Sequence, residues 1–221
     1  MKIFEKDYYS HKGYLNQNRI QAYVEQYKYI NNGDDILEVG NAGGVFGNLA
    51  SKIANYNSLD ISPNTNPDII ADISNKKLLY KINNKYDVVF CCEVLEHIPF
   101  NRFEQGIENI MKIANKTVII SLPDNRKFIR VLLFFIINII KKAFSIPFTG
   151  KEVNLNVNNG HHFEINSKNI NKIKKIMNKI AKTNFFYLKK DYRLFDRPYQ
   201  HFFIFEKDYG RVIEDYAEIN N

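Results

Sequence analysis

The stretch ILEVGNAGGVFG, Ile36 to Gly47, constrains this chain more than any other feature. An apolar run ends at Gly40, passes through Asn41, Ala42, Gly43 and Gly44, and enters a helical pattern. A loop of this composition lets backbone approach a ligand closely and aims helix N–H groups at it. It also demands a strand that feeds a helix, the opening unit of an α/β sheet. The sequence repeats that unit. The apolar runs DDILEVG, YNSLDIS, PDIIADI, YDVVFCCEV and KTVIISLPD are interleaved with helical patterns such as NQNRIQAYVEQYKYI, VFGNLASKIANY and NRFEQGIENIMKIAN. Alternation of this kind predicts parallel strands with helices on both faces. The ending differs: NFFYLKKDYRL and YQHFFIFEK are separated by FDRP, too short for a crossover helix, so they should pair antiparallel.

A length of 221 residues fits one α/β domain. We read residues 1–221 as a single unit, with a core over about 30–123 and 161–207 and an inserted lid over about 124–160. The charged start MKIFEKDYYSHKGY lacks the apolar core of a secretory signal, and the adjacent Cys91 and Cys92 suit buried, reduced thiols. A cytoplasmic setting is the expectation. The net charge of +7 raises nucleic-acid binding, but the lysines of NSKNINKIKKIMNKIAK argue otherwise. Ile170, Ile173, Ile176, Met177 and Ile180 recur at helical spacing, which leaves Lys172, Lys175, Lys179 and Lys182 largely on a solvated face. No nucleic-acid partner is expected. The run from Phe128 to Phe148 is very apolar but broken by Arg130 and Asn138, too short for a span. We expect a helix there, as a lid or a homodimer contact, with a membrane-surface helix as the other reading, and no stable insertion.

The glycine turn alone does not choose a cofactor. Gly40, Ala42 and Val45 occupy the places of a G-x-G-x-x-G fingerprint, a poor dinucleotide match. Three further features do choose. Glu38 sits within the first strand, Asp72 ends the third, and the fourth runs into CCEVLEHIP. Together with Leu59-Asp60-Ile61-Ser62, these resemble the class I S-adenosylmethionine-dependent methyltransferases over residues 34–123. The resemblance implies a Rossmann-like seven-stranded, mostly parallel sheet with an antiparallel last strand. It implies S-adenosylmethionine as cofactor and S-adenosylhomocysteine as product. Gly40, Asn41, Ala42 and Gly44 would pass beneath the methionine part and ribose, and Glu38 would help anchor the methionine end. Asp60 would accept the ribose hydroxyls, Ile61 would pack on adenine, and Asp72 and Ile73 would meet the adenine edge. Glu93 would lie near the methyl-bearing end. Ala42 departs mildly from the commoner glycine.

Methyl transfer from a sulfonium is one in-line displacement, so the protein aligns the acceptor and, where needed, removes a proton. The candidate catalytic residues are His97, His161 and His162. Glu93, Glu96 and His97, at i, i+3 and i+4, would share one side of a helical turn and resemble a metal-assisted branch of the family, with a loop histidine as extra ligand. The same E-V-L-E-H accompanies metal-free members, and metal-free catalysis is the expectation. The acceptor pocket is expected to draw on Tyr8, Tyr9, Tyr14, Tyr192, Arg193, Arg197, Tyr199 and His201, suited to a small polar compound. The resemblance points to a small-molecule or bacterial surface-glycan precursor. A non-catalytic cofactor-binding protein and an RNA methyltransferase are the alternatives.

Overall fold

A computed structural model describes residues 16–82, 85–134, 141–147, 160–194 and 197–212. The helix α1 (Gln17–Tyr27) leads to β1 (Asp35–Val39), α2 (Val45–Ala50), β2 (Asn55–Asp60) and β3 (Ile69–Ile70). Then follow β4 (Tyr86–Cys92), α3 (Phe100–Ile113), β5 (Ala114–Pro123), β6 (Phe128–Phe134) and β7 (Lys141–Pro147). The chain closes with α4 (Ile170–Thr183), β8 (Phe186–Arg193) and β9 (Gln200–Lys207).

Seven strands form one sheet in the order β3-β2-β1-β4-β5-β9-β8. β1 to β5 are parallel, and β9 runs against both β5 and β8. The fold expected from the sequence is therefore the fold observed, including the antiparallel pairing across the short FDRP link. The central strands are buried on both faces, so Ile36, Leu37, Val88, Val89, Phe90, Ile119 and Ile120 need no polar alternation. One core cluster packs α3 and α4 onto the sheet, and the other holds Tyr23, Phe46, Phe90 and Ile204 under α1 and α2. In α4, Ile170, Ile173, Met177 and Ile180 are buried while Lys172, Lys175, Lys179 and Lys182 are exposed, as the spacing predicts. In the turn before that helix Asn166 accepts from the N–H groups of Lys168 and Asn169, and Asn169 stands at the cap position itself.

Three expectations need correction. The apolar run expected to be a helix instead supplies β6 and β7, an antiparallel pair of their own. A short continuous apolar run fits strand or helix alike, and here β-branched and aromatic residues in both halves favour mutual pairing. The helix after the glycine turn stops at Ala50, well short of the pattern's end at Tyr56, which lies in β2. Cys91 is buried as expected, but Cys92 is only half-buried. Among the described residues, no helix is long and apolar enough to cross a membrane.

Candidate active site

Parallel strands end together, so the loops that follow β1, β2, β4 and β5 meet along one edge of the sheet, where open α/β folds bind ligands. The turn after β1 is built for close approach. Gly40 has φ of +81°, and a Cβ there would stand 2.3 Å from Val94 Cγ2, so a side chain is excluded. Its N–H donates to the Leu59 carbonyl at 2.7 Å, tying the turn to β2. Gly44, at φ +74°, begins α2. Ala42 takes φ of +44°, a left-handed geometry costing an L residue about 1–2 kcal/mol. Buried Asn41 donates to the Thr65 carbonyl, and its Oδ1 has no hydrogen-bond partner among the described residues.

Glu38 is buried in β1 and accepts a short bond from the Tyr56 hydroxyl. Burial, with the charge of Asp60 nearby, pushes its carboxyl up to about 7. A raised folded-state pKa means that the native protein holds this proton more tightly than the unfolded chain. The resulting stability is full below the ordinary value of 4.5 and is lost as pH rises through about 7. The Glu38→Gln variant should therefore remove about 3 kcal/mol of the decline in stability on going to pH 8. Urea denaturation at several pH values checks this; identical pH slopes in the two proteins would refute it.

Asp60 ends β2 and accepts from the Ser62 N–H at 2.8 Å, while burial raises its carboxyl despite that bond. Ile61 follows it, half-buried at the mouth of the turn. Asp72 is more heavily engaged than the sequence implies. Its Oδ1 accepts from both the N–H and the hydroxyl of Ser74, and its Oδ2 accepts from Arg102 at 2.7 Å. Burial opposes ionisation, but these bonds outweigh it and hold the carboxyl below its usual range. Only the second lone pair of Oδ2 is left for a ligand. Ile73 is buried, and its carbonyl accepts from Asn109.

β4 ends in the densest group of ionisable residues on this edge. Glu93 has φ of +59°, and its Oε2 lies 3.8 Å from Arg197 Nη2 while its Oε1 has no hydrogen-bond partner among the described residues. Burial raises its carboxyl, with Arg197 and Arg19 opposing. Glu96 is wholly buried, and neither carboxylate oxygen has a hydrogen-bond partner among the described residues. Burial and then the charge of Glu93 push it well above the ordinary range. His97 shares a short 3₁₀ turn with it, and burial lowers its pKa.

The segment after Gly160 completes the group. Phe163 packs between Phe100 and Phe103, the Ile165 N–H donates to the Pro123 carbonyl, and the His162 N–H donates to the Glu96 carbonyl at 2.7 Å. These bonds hold the His161 ring 4.8 Å from that of His97. Ligand atoms of Glu96, His97 and His161 all lie within 4.8 Å of one another. His97 donates Nδ1–H to the Gly160 carbonyl, and His161 directs Nδ1 to Glu164 at 2.8 Å. Nε2 of each ring is thereby left to accept a proton or coordinate a cation. His162 is exposed and joins the group only through its backbone.

Of the residues expected to line an acceptor pocket, Arg197 and Tyr199 do stand here. Arg197 is 2% exposed, stacked 4.5 Å from the Tyr199 ring and facing Glu93. Three others do structural work. Tyr192 bonds Glu25 and Tyr29, Arg193 donates to the carbonyls of Pro198 and Arg126, and His201 lies between Asp124 and Asp191. Tyr8, Tyr9 and Tyr14 lie outside the described residues. Sequence reasoning missed Tyr56 as the partner of Glu38 and Glu164 as the partner of His161; only the i, i+3 spacing of the latter was a signal.

No family model and no curated protein matches this chain. Solved structures do. The N-methyltransferase NodS from Bradyrhizobium japonicum WM9, in complex with S-adenosyl-L-homocysteine, superimposes with a TM-score of 0.57 at 11% identity, covering 87% of this chain and 88% of that one. An S-adenosylmethionine-dependent methyltransferase from Clostridium acetobutylicum ATCC 824 gives 0.52 at 13% identity, over 86% and 89% of the chains. A protein from Rhodobacter sphaeroides described as a putative Zn-dependent alcohol dehydrogenase gives 0.57 at 10% identity, over 87% and 89%. Identities this low establish the fold alone.

Proposed function

We propose that this chain is an S-adenosylmethionine-dependent methyltransferase that acts on an oxygen or nitrogen of a small polar acceptor. The observation that carries the reading is the convergence of Gly40, Asp60, Asp72 and Glu93 on one sheet edge, in the order the resemblance requires. The turn at Gly40 admits a ligand against backbone, and Asp60 offers a carboxylate to the two ribose hydroxyls. Ile61 flanks the adenine, and Asp72 and Ile73 edge it. Glu38 and Asn41 supply polar groups below the methionine end, and Ala42 and Gly44 shape its floor. A bacterial surface-glycan precursor is the acceptor class that fits a core with one insertion, by analogy of family.

Calorimetry should show S-adenosylmethionine and S-adenosylhomocysteine binding with Kd on the order of micromolar, about −8 kcal/mol. Asp60→Ala removes charge-assisted bonds to two hydroxyls and should weaken both roughly a hundredfold. Tight NAD binding with no response to S-adenosylmethionine would overturn the reading.

A second reading concerns a divalent cation, and one observation favours it over metal-free catalysis. Glu96 buries a carboxylate with no hydrogen-bond partner among the described residues, a costly arrangement unless something positive meets it. Glu96, His97 and His161 would hold the ion, with the Gly160 carbonyl and Glu164 orienting the two rings. Mixed carboxylate and imidazole donors suit Mg²⁺, Mn²⁺ or Zn²⁺. A bound cation would supply Lewis-acid polarisation of an acceptor oxygen. Arg197 and Glu93 would then orient the acceptor beside it.

A further inference from the structure

We propose that Arg197 is the anion-binding residue of the acceptor site, so that the acceptor carries a carboxylate or phosphate beside the group it offers for methylation. The methyl half of this rests on the function proposed above; the anion half rests on Arg197 itself. The Gln200 N–H donates to the Arg197 carbonyl and sets the residue just before β9. β9 runs antiparallel to β5, so Arg197 arrives at the edge where β4 and β5 end and Glu93 follows β4. Only 2% of the residue is exposed.

Nε and Nη2 of a guanidinium form a fork that fits two oxygens of one anion. Two neighbouring arginines fill theirs. Arg126 sets Nε and Nη2 on the two oxygens of Asp124, at 2.9 and 2.6 Å, and Arg193 sets the same nitrogens on the carbonyls of Pro198 and Arg126. Arg197 does not. Among the described residues its Nε has no hydrogen-bond partner, and Glu93 Oε2 stands 3.8 Å from Nη2, beyond hydrogen-bond reach. A buried cation left this way is costly unless an anion meets it. Stacking 4.5 Å from the Tyr199 ring holds the guanidinium, and the charge of Arg19 on α1 reaches both Glu93 and Tyr199, adding positive potential where the anion would sit. Glu93 Oε1 also has no hydrogen-bond partner among the described residues. With an anion on the fork, that oxygen is placed to accept from an N–H or O–H of the same molecule, so the group to be methylated is an amine or hydroxyl held next to its own anion.

The test titrates the full chain, saturated with S-adenosylhomocysteine, with acetate and separately with inorganic phosphate, at an ionic strength held constant by chloride. Nitrogen–proton correlation spectra follow the arginine Nε–H groups. The Arg197 signal, identified by its loss in Arg197→Lys, should move and saturate, and the anion that saturates it at the lower concentration names the class. Arg197→Lys keeps the charge but loses the fork. In a screen for S-adenosylhomocysteine release, it should raise KM for acceptors of that class about 10–100-fold and change kcat little. Its affinity for S-adenosylhomocysteine should stay that of the parent. If the variant fails to fold, the parent titration decides alone, and no movement of any arginine Nε–H signal with either anion overturns the proposal. So does an Arg197 signal that S-adenosylhomocysteine itself moves, with weaker cofactor binding in Arg197→Lys, which would assign the residue to the cofactor. Movement with an anion but no response of the Gly40 and Gly44 amides to S-adenosylhomocysteine would keep the anion site and sink the methyl-transfer reading.

Discussion

Manganese should bind this protein at a single site, and the Glu96→Gln variant should abolish that binding. Glu96 contributes the only carboxylate within the group of Glu96, His97 and His161, and its replacement by a neutral amide removes both the charge and an oxygen donor. Glu164→Ala leaves all three ligands in place but frees the His161 ring, and should weaken binding about 10–100-fold. Affinity should climb with pH, since burial and Glu93 hold the Glu96 proton on well above the ordinary carboxylate range and the cation must displace it. Electron paramagnetic resonance of a Mn²⁺ titration reads all three effects without an acceptor. In a screen for S-adenosylhomocysteine release, excess chelator should stop turnover, and Mg²⁺ or Mn²⁺ should restore it. Unbound Mn²⁺ together with full turnover in chelator would sink the metal reading. His97 or His161 would then act as general base, and its change to Ala should lower kcat about 10²–10⁴-fold.

The second large effect lies at the root of the insertion. Asp124 is buried, receives a two-pronged bond from Arg126, and has His201 at 3.0 Å and Arg193 at 3.5 Å. Burial alone would raise its carboxyl, but His201, Arg126 and Arg193 outweigh it and hold the group at about 2. Asp124→Asn leaves a buried cluster of cations without its anion and should cost about 3–5 kcal/mol, against a total stability of about 5–15 kcal/mol for a native domain. The thermal midpoint should fall by roughly 10 °C. The sign with pH is opposite to that of Glu38: this depressed group stabilises the fold above its ordinary value of 3.8, and the effect is lost as pH falls through about 2. Adding Arg126→Met to the variant should recover part of the loss. A midpoint within about 2 °C of the parent would show that the cluster carries no such weight.

The same root explains why some of the site was unreadable from the sequence. His201, Arg193 and Tyr192 look like pocket residues by type, yet they are drawn to Asp124, Asp191, Glu25 and backbone carbonyls. Glu25, Asp124 and the Arg126 carbonyl are remote in sequence, and Asp191 meets His201 only through the pairing of β8 with β9, so no local spacing announces them. The hairpin was misread for a related reason. A continuous apolar run has no period to distinguish strand from helix, and pairing between its two halves decided the outcome.

What the sequence determined by itself is the sheet and its ligand-facing edge. Period and turn chemistry are local, so the strand that carries Glu38, the strands that end in Asp60 and Cys92, the turn at Gly40 and the closing antiparallel pair were all legible. Tertiary structure alone brought His161 to His97 and Glu96 across more than sixty residues, and left His162 outside. It also left the Glu96 carboxylate buried and without a hydrogen-bond partner among the described residues. Burial and charge at a point in space are sums over neighbours from many elements, and a linear sequence does not contain that sum until the chain is folded.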